Sequence, residues 1–580
     1  MHVDDDAVTG DGAQDAAPAA DAGSSSDVAA AATPSSAARS LASPAARKPA
    51  RRTAKTTAAT KASTKAASTK PAARTTAATK RAAKTPASRP AAKPAPGSKP
   101  AGKHPAEGTR RVKPKRMTGW DFATWRTASG DPSMRSPIIG LVLLDSSPDW
   151  EALVERFDRA SRVAAVLRQK VVQGPGDVVN PRLVIDPDFD LSFHLRRFRI
   201  ALPGTWAQVL DEVRRQSMTD FDLQRPLWRV TLLEGLEGGR SALIVKLHHA
   251  IADGQGAMML GATVVDFAEE PADLGPMPPV PVAGADDEVS VLGSAARDAR
   301  SLVLRSAKEA VDAARPLAGK VVTDPLGLVE DVARLLRSVA RFVAVPTRPL
   351  SPVMTGRSIN YHFATFDLPL AELKKAAKSR GLTLNDAFMG GVTGGLHRYH
   401  EARGESIESL RVNMPISLRD PAKPTSNAVT IARFEVPIAE DDLGERMQQI
   451  HDTVDAWRRE PALHLADALA EMSRLVPTEM LAAAARTSDF TTSNVPGVPV
   501  PVWVGGARVL RMYPMVATIG AAVNVTLLSY ASLASIGVSM DDAAVEDRAL
   551  FVRCLAEGFA EVVGDDVAPA APLAPGAPSP

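Results

Sequence analysis

A two-lobed α/β protein with a reactive site between its lobes is the fold class this sequence predicts, on three observations. An apolar, β-prone run at 241–247 (SALIVKL) ends in His248-His249-Ala250-Ile251-Ala252-Asp253-Gly254, so two histidines stand where a strand stops. On either side of a Pro-rich linker at 271–282, the chain passes through a similar mixed succession of strand and helix patterns. Finally, 512–540 holds no charged residue, yet Pro514, Gly520, Asn524 and Gly537 interrupt it. It reads as two buried strands, VNVTLLSY and ASIGVSM, joined by a turn, and not as a membrane-spanning helix.

The elements follow in order. Residues 1–116 contain no Phe, Tyr or Trp and only five Val and Leu. Such a segment buries too little apolar surface to offset its ordering entropy, so a disordered Ala/Lys/Pro-rich arm is expected. It carries 22 Lys/Arg against 8 Asp/Glu, a net +14, while the remaining chain carries 47 against 58, a net −11. A basic arm on a mildly acidic body fits anionic lipid or nucleic acid, or a solvated tail with no specific partner. The acidic start MHVDDDAVTG does not read as a secretory signal. The single cysteine, Cys554, excludes an intramolecular disulfide.

An N-terminal domain is expected at 117–270. Trp120, Phe122 and Trp125 open it, and 138–144 (IIGLVLL) reads as a strand. Ser147-Pro148 marks a helix start with Ser as cap. A strand at 193–198 and a helix at 206–216 follow. Pro226-Leu227-Trp228 then opens an edge strand that turns at 235–239 into the histidine-bearing strand. A Pro-rich and helical linker is expected at 271–354, with helical patterns at 289–316 and 326–343. A C-terminal domain at 355–565 is read with strands at 358–366, 410–416 and 431–436. Its helices fall at 370–379, 384–403, within 440–485 and at 548–562, and an Ala/Pro tail at 566–580 closes the chain.

Adjacent histidines on a strand point to opposite faces. One can face a pocket as a general base while its neighbour faces the fold. No third His or Cys sits at ligand spacing, so no metal is expected. Asp253 follows His249 by four residues; it can orient an imidazole or hold the turn by pairing with an arginine. Gly254 lets the backbone pass close to another segment.

Further motifs occur in a fixed order: PLW at 226–228, HHAIADG at 248–254, Asn385-Asp386 within LTLNDAFMGG, PISLRD at 415–420, SNVPG at 493–497 and VNVTLLSY at 523–530. Together they resemble the bacterial wax ester synthase/acyl-CoA:diacylglycerol acyltransferase family, over roughly 117–565. HHxxxDG alone marks only the wider superfamily of chloramphenicol acetyltransferase-like and condensation-domain proteins. Three departures stand out. The family's Leu-Ser-Pro-Leu-Asp-like opening is reduced to Met117-Thr-Gly-Trp-Asp121, Ser426 replaces a Gly, and Val498 stands where a Pro often follows SNVPG.

The resemblance implies a two-lobed chloramphenicol acetyltransferase-like fold with a channel between its halves. Acyl-CoA, a co-substrate with no further cofactor, would enter from one side and diacylglycerol or a fatty alcohol from the other. His249 would be the general base, since neutral imidazole has an ordinary pKa of roughly 6.5, near working pH. His248 would support the strand. Asp253 would be structural, with Arg419 of PISLRD as its partner. Asn385 would face the oxyanion or cap its helix, and Ser493 and Asn494 would line the channel. Attachment to a membrane or lipid droplet would be peripheral, from the cytoplasm, through the arm or 289–343. The alternatives are an acyltransferase fed by a carrier protein and a non-catalytic lipid- or DNA-associated protein.

Overall fold

The computed structural model describes residues 108–173, 180–252, 254–284, 346–417, 429–461 and 473–574, with isolated positions between 330 and 341 and at 463 and 470. The arm to residue 107, the helical pattern at 289–316 and most of that at 326–343 lie outside the described residues. So do Asp253, Arg419 and the tail from 575.

In chain order the first half supplies β1 (Thr109–Val112), β2 (Lys115–Arg116), α1 (Gly119–Gly130), β3 (Pro137–Leu144), α2 (Trp150–Val163), β4 (Gln169–Val172), β5 (Arg182–Ile185), α3 (Leu191–His194), β6 (Leu195–Arg199), α4 (Trp206–Met218), β7 (Trp228–Glu234), β8 (Ser241–His248), α5 (Gly254–Gly261) and β9 (Val280–Ala283). The second half supplies β10 (Tyr361–Pro369), α6 (Leu370–Lys378), α7 (Leu384–Ala402), β11 (Ser409–Ser417), β12 (Val429–Pro437), α8 (Leu443–Arg458), α9 (Thr478–Ala485), β13 (Phe490–Val495), β14 (Trp503–Val504), β15 (Ala507–Val516), β16 (Val523–Tyr530), β17 (Leu533–Asp541) and α10 (Arg548–Val563).

Two six-stranded sheets organise the lobes, in the orders β14-β15-β3-β8-β7-β6 and β10-β17-β16-β13-β11-β12. In the first, the period-2 alternation of β8 feeds two cores. Ala242 and Ile244 join Trp206 and Val209 of α4, whereas Leu243 and Leu247 join Phe157 of α2 and Trp228. In the second, α7 and α10 cover one face. Their close crossing needs glycine: a Cβ on Gly558 would overlap the backbone of Gly391 and Gly395. The uncharged 512–540 stretch includes the expected antiparallel pair, β16 with β17. Among the described residues no helix is long and apolar enough to cross a membrane.

Several expectations need correction. Order begins at β1 and β2, inside the segment read as disordered to 116, because backbone pairing with β9 and β5 holds these strands without a large apolar side chain. The second-half strands β14 and β15 join the first lobe's sheet through β3, so the two domains are not continuous stretches. Asp149, not Ser147, caps α2: its carboxylate accepts from Ala152 N–H at 2.7 Å, while Ser147 bonds Glu234. Trp228 opens an inner strand, since β6 occupies the edge. The start of the tail is also anchored, with Leu573 buried and the Pro572 carbonyl accepting from Arg240 at 2.7 Å.

At the lobe junction β15 passes over β17, and a Cβ on Gly537 would overlap the Pro514 carbonyl. Gly537→Val is therefore expected to abolish soluble, cooperatively folding protein, whereas the same change at exposed Gly261, where an added Cβ meets nothing within 4 Å, should leave the yield of folded protein far less affected; circular dichroism and size exclusion would check it.

Candidate active site

The end of β8 is fixed from both neighbours. His248 N–H donates to the Leu227 carbonyl at 3.0 Å and His249 N–H to the Ser136 carbonyl at 3.2 Å. PLW therefore does more than pack an edge, because its leucine carbonyl holds the backbone of the first histidine. The chain then turns, with Ile251 N–H on the His248 carbonyl at 3.0 Å, and α5 starts at Gly254.

The two histidines part as strand geometry requires. His248 is buried among rings, 5.5 Å from Trp125 and 5.8 Å from Phe221 between centroids. Its Nδ1 accepts Ala250 N–H at 3.1 Å, and burial pushes its pKa down to about 4, so it is neutral at pH 7. On the same face, the buried Lys246 ammonium donates to the carbonyls of Gln216, at 2.8 Å, and Thr219, closing the end of α4. Burial pushes that ammonium down to about 7. His249, half-buried, lines a cavity on the other face.

This cavity, about 610 Å³, is of the size expected for a small-molecule site. Both lobes line it, and its walls differ. The first lobe supplies apolar side chains, including Val142, Phe157, Val245, Leu247, Met258 and Met512. The second lobe's strands add neutral polar ones, Thr430, Thr491, Ser493, Asn494, Asn524 and Thr526, beside apolar Pro415, Ile431, Val495 and Leu528. The α5 wall is anchored beyond its end, where Asp266 forms a buried 2.6 Å ion pair with Arg156 of α2 and pairs its backbone with Trp503.

Of the residues singled out in the sequence, the cavity brings together His249, Ser493 and Asn494, with Gly254 opening the helix beside them. Asp253 and Arg419 lie outside the described residues. Asn385 does not cap α7. Thr383 does, in a capping box with Asp386, because the Thr hydroxyl and the Asp carboxylate satisfy each other's backbone donors. Asn385 is half-buried near Met414, with Nδ2 3.9 Å from its sulfur, and is not among the described residues lining the cavity. The Asp386 carboxylate also lies 2.9 Å from His451 Nδ1, giving this Asp a structural role.

Asp121 enters the sequence reading only as part of an altered opening. It lines the cavity with His249, and burial holds its carboxyl above the ordinary carboxylate range against Thr118 hydrogen bonds and the charges of Lys115 and His249. Capping-box spacing, Thr118 to Asp121, is the signal available, and it points to helix start and not to chemistry.

His194 supports the PLW tryptophan. It is fully buried, stacked 4.4 Å from Trp228, with Nδ1 2.8 Å from the Trp228 carbonyl, and burial pushes its pKa down to about 4. Both His194 and His248 resist protonation when folded, so the unfolded chain takes up protons first as pH falls below about 6.5. Stability is then lost between pH 6.5 and about 4, by roughly 2 kcal/mol per histidine at pH 5. Urea melts at pH 7 and 5 should show this loss, and His194→Phe should shrink it.

A family model for the wax ester synthase/diacylglycerol acyltransferase catalytic domain matches residues 117–388, and one for the C-terminal domain of the same family matches 425–562. A putative diacylglycerol O-acyltransferase of Mycobacterium tuberculosis is 34% identical over 437 residues, covering 75% of this chain and 89% of the relative. A second from that organism is 28% identical over 461 residues, covering 75% and 93%. Among solved structures, the wax ester synthase/diacylglycerol acyltransferase of Marinobacter aquaeolei VT8 has 21% identity and a TM-score of 0.50, covering 78% of this chain and all of its own. The first condensation domain of the calcium-dependent antibiotic synthetase has 16% identity and a TM-score of 0.53, covering 79% and 99%. The structures share the fold; the sequence matches carry the relationship. This chain belongs to the wax ester synthase/diacylglycerol acyltransferase family and is an O-acyltransferase.

Proposed function

We propose that the chain transfers an acyl group from acyl-CoA to the hydroxyl of diacylglycerol or a long-chain alcohol, directly and with His249 as general base. One observation carries this reading: His249 stands in a mainly apolar cavity shared by both lobes, whose lining also holds neutral polar side chains. A hydroxyl is too weakly acidic to attack a thioester at useful rates unless its proton is taken as the bond forms. His249 removes that proton while the acceptor oxygen bonds to the thioester carbonyl carbon. Collapse of the tetrahedral intermediate breaks the carbon–sulfur bond, and the thiolate leaves with the proton from the imidazolium. No covalent acyl-enzyme is needed.

Asp121 is assigned to favour the transient imidazolium, because its carboxyl lines the same cavity as His249. Ser493 and Asn494 are assigned to the acceptor or the carbonyl oxygen, and His248 to holding the turn. The apolar wall suits fatty chains, which also implies work at a membrane or lipid-droplet surface with peripheral attachment.

CoA release from palmitoyl-CoA, with diacylglycerol and hexadecanol supplied separately, tests the assignment. His249→Ala should lower acceptor-dependent release by two or more orders of magnitude, the contribution of a general base. Asp121→Asn should lower kcat by about tenfold with little change in KM, as for loss of a charge that acts on the transition state. Release by wild type that ignores both acceptors would overturn the proposal.

A further inference from the structure

Five of the seven residues from 110 to 116 are cationic, and this run immediately precedes the family match at 117. It is ordered. β1 pairs in parallel with β9, β2 pairs with β5, and Met117 N–H donates to the Pro181 carbonyl at 2.9 Å. Arg110 donates to the carbonyls of Arg162 and Val163 at the end of α2, at 3.0 and 3.3 Å, which pins the strand. Arg111, Lys113 and Lys115 are exposed. Alternate spacing spreads them over at most about 14 Å of chain. The inner end of the run reaches the active-site cavity, because Lys115 and Arg116 line it together with Asp121 and His249.

We infer that this basic run is a phosphate-binding site beside the cavity, which holds the diphosphate and 3′-phosphate of the acyl-CoA donor. The inference rests on the acyl-CoA reading above. Three features support it. Among the described residues, the ionisable side chains lining the cavity, other than Tyr513, are Lys115, Arg116, Asp121 and His249, so two cations of the run share its wall with the proposed base. A thioester at His249 leaves the phosphates at the far end of the pantetheine arm, and Lys113 and Arg111, both exposed, continue the run beyond the lining residue Lys115. Strand pairing fixes the backbone of the run beforehand, so less ordering entropy is lost when a polyanion binds. Arginine and lysine are the usual partners of phosphate oxygens. Phosphate on an anionic lipid headgroup offers the same chemistry, so the test must separate the two sources.

The test uses the full chain and Lys113→Ala/Lys115→Ala. For wild type and variant, kcat and KM are measured with palmitoyl-CoA and with the S-palmitoyl thioester of N-acetylcysteamine, which lacks phosphate. The ratio of the two kcat/KM values should fall on the order of tenfold in the variant, through KM for the CoA thioester. Titration calorimetry with CoA alone should show a matching loss of affinity. That measurement needs no acceptor, so it separates this inference from the proposed reaction. Circular dichroism melts establish that the variant folds. Unchanged CoA affinity in a folded variant would overturn the inference. So would a loss confined to binding of phosphatidylglycerol vesicles, which would assign the run to lipid headgroups.

Discussion

Strand β15 belongs by sequence to the second half and by hydrogen bonding to the first lobe's sheet, and the cavity depends on how that strand is fastened. At the crossing, Asp367 of β10 accepts from Arg511 at 2.7 Å, Tyr513 at 2.8 Å and Ser535 of β17 at 3.0 Å. Arg511 is almost fully buried, so its charge is held in the interior by this carboxylate. Removing one partner of a buried pair leaves an uncompensated charge and typically costs about 3–5 kcal/mol. Burial, followed by the Asp367 charge, holds the Tyr513 hydroxyl well above its ordinary pKa, so it stays a hydrogen-bond donor. Beyond this junction, Met512, Tyr513, Pro514 and Val516 line the cavity. The strand that ties the lobes together is thus also part of the site's wall.

From that arrangement the division of the walls follows. The first lobe's sheet turns Val142, Val245 and Leu247 toward the cavity, opposite the α4 side. The second lobe's sheet buries Phe490, Val523 and Val525 under its helices. The alternate positions Thr491, Ser493, Asn524 and Thr526 then face the cavity, kept in line by the parallel register of β13 and β16. Simple period-2 alternation therefore gives an apolar face on the first sheet and, on the second, a face where neutral polar side chains stand among apolar ones such as Ile431 and Leu528. His249 follows directly on the end of β8 and joins that lining.

How much of this is legible in the sequence depends on the range of the interaction. Alternation within β8 foretells that His248 and His249 separate, and the VNVTLLSY pair is explained by its lack of charge and its turn. Capping is local too, yet on sequence Ser147 outcompetes Asp149, and Asn385 competes with Thr383. Each is a matter of one or two residues among several competent caps. Strand exchange is not legible, because nothing in 507–516 records that its partner is β3, more than 360 residues earlier. The order of 109–116 is hidden for a related reason: its strands are held by backbone pairing with distant segments, while its composition reads as solvated. Asp121 is masked by a helix-start pattern that is itself correct.

In the proposed reaction, donor and acceptor meet in one cavity shared by both lobes and react directly, with His249 taking the proton. Initial rates measured while acyl-CoA and acceptor are varied together test it most directly. Double-reciprocal plots that intersect are expected, since direct transfer passes through a ternary complex. Parallel lines, with a stable acylated protein after donor alone, would mean a covalent intermediate and would contradict it.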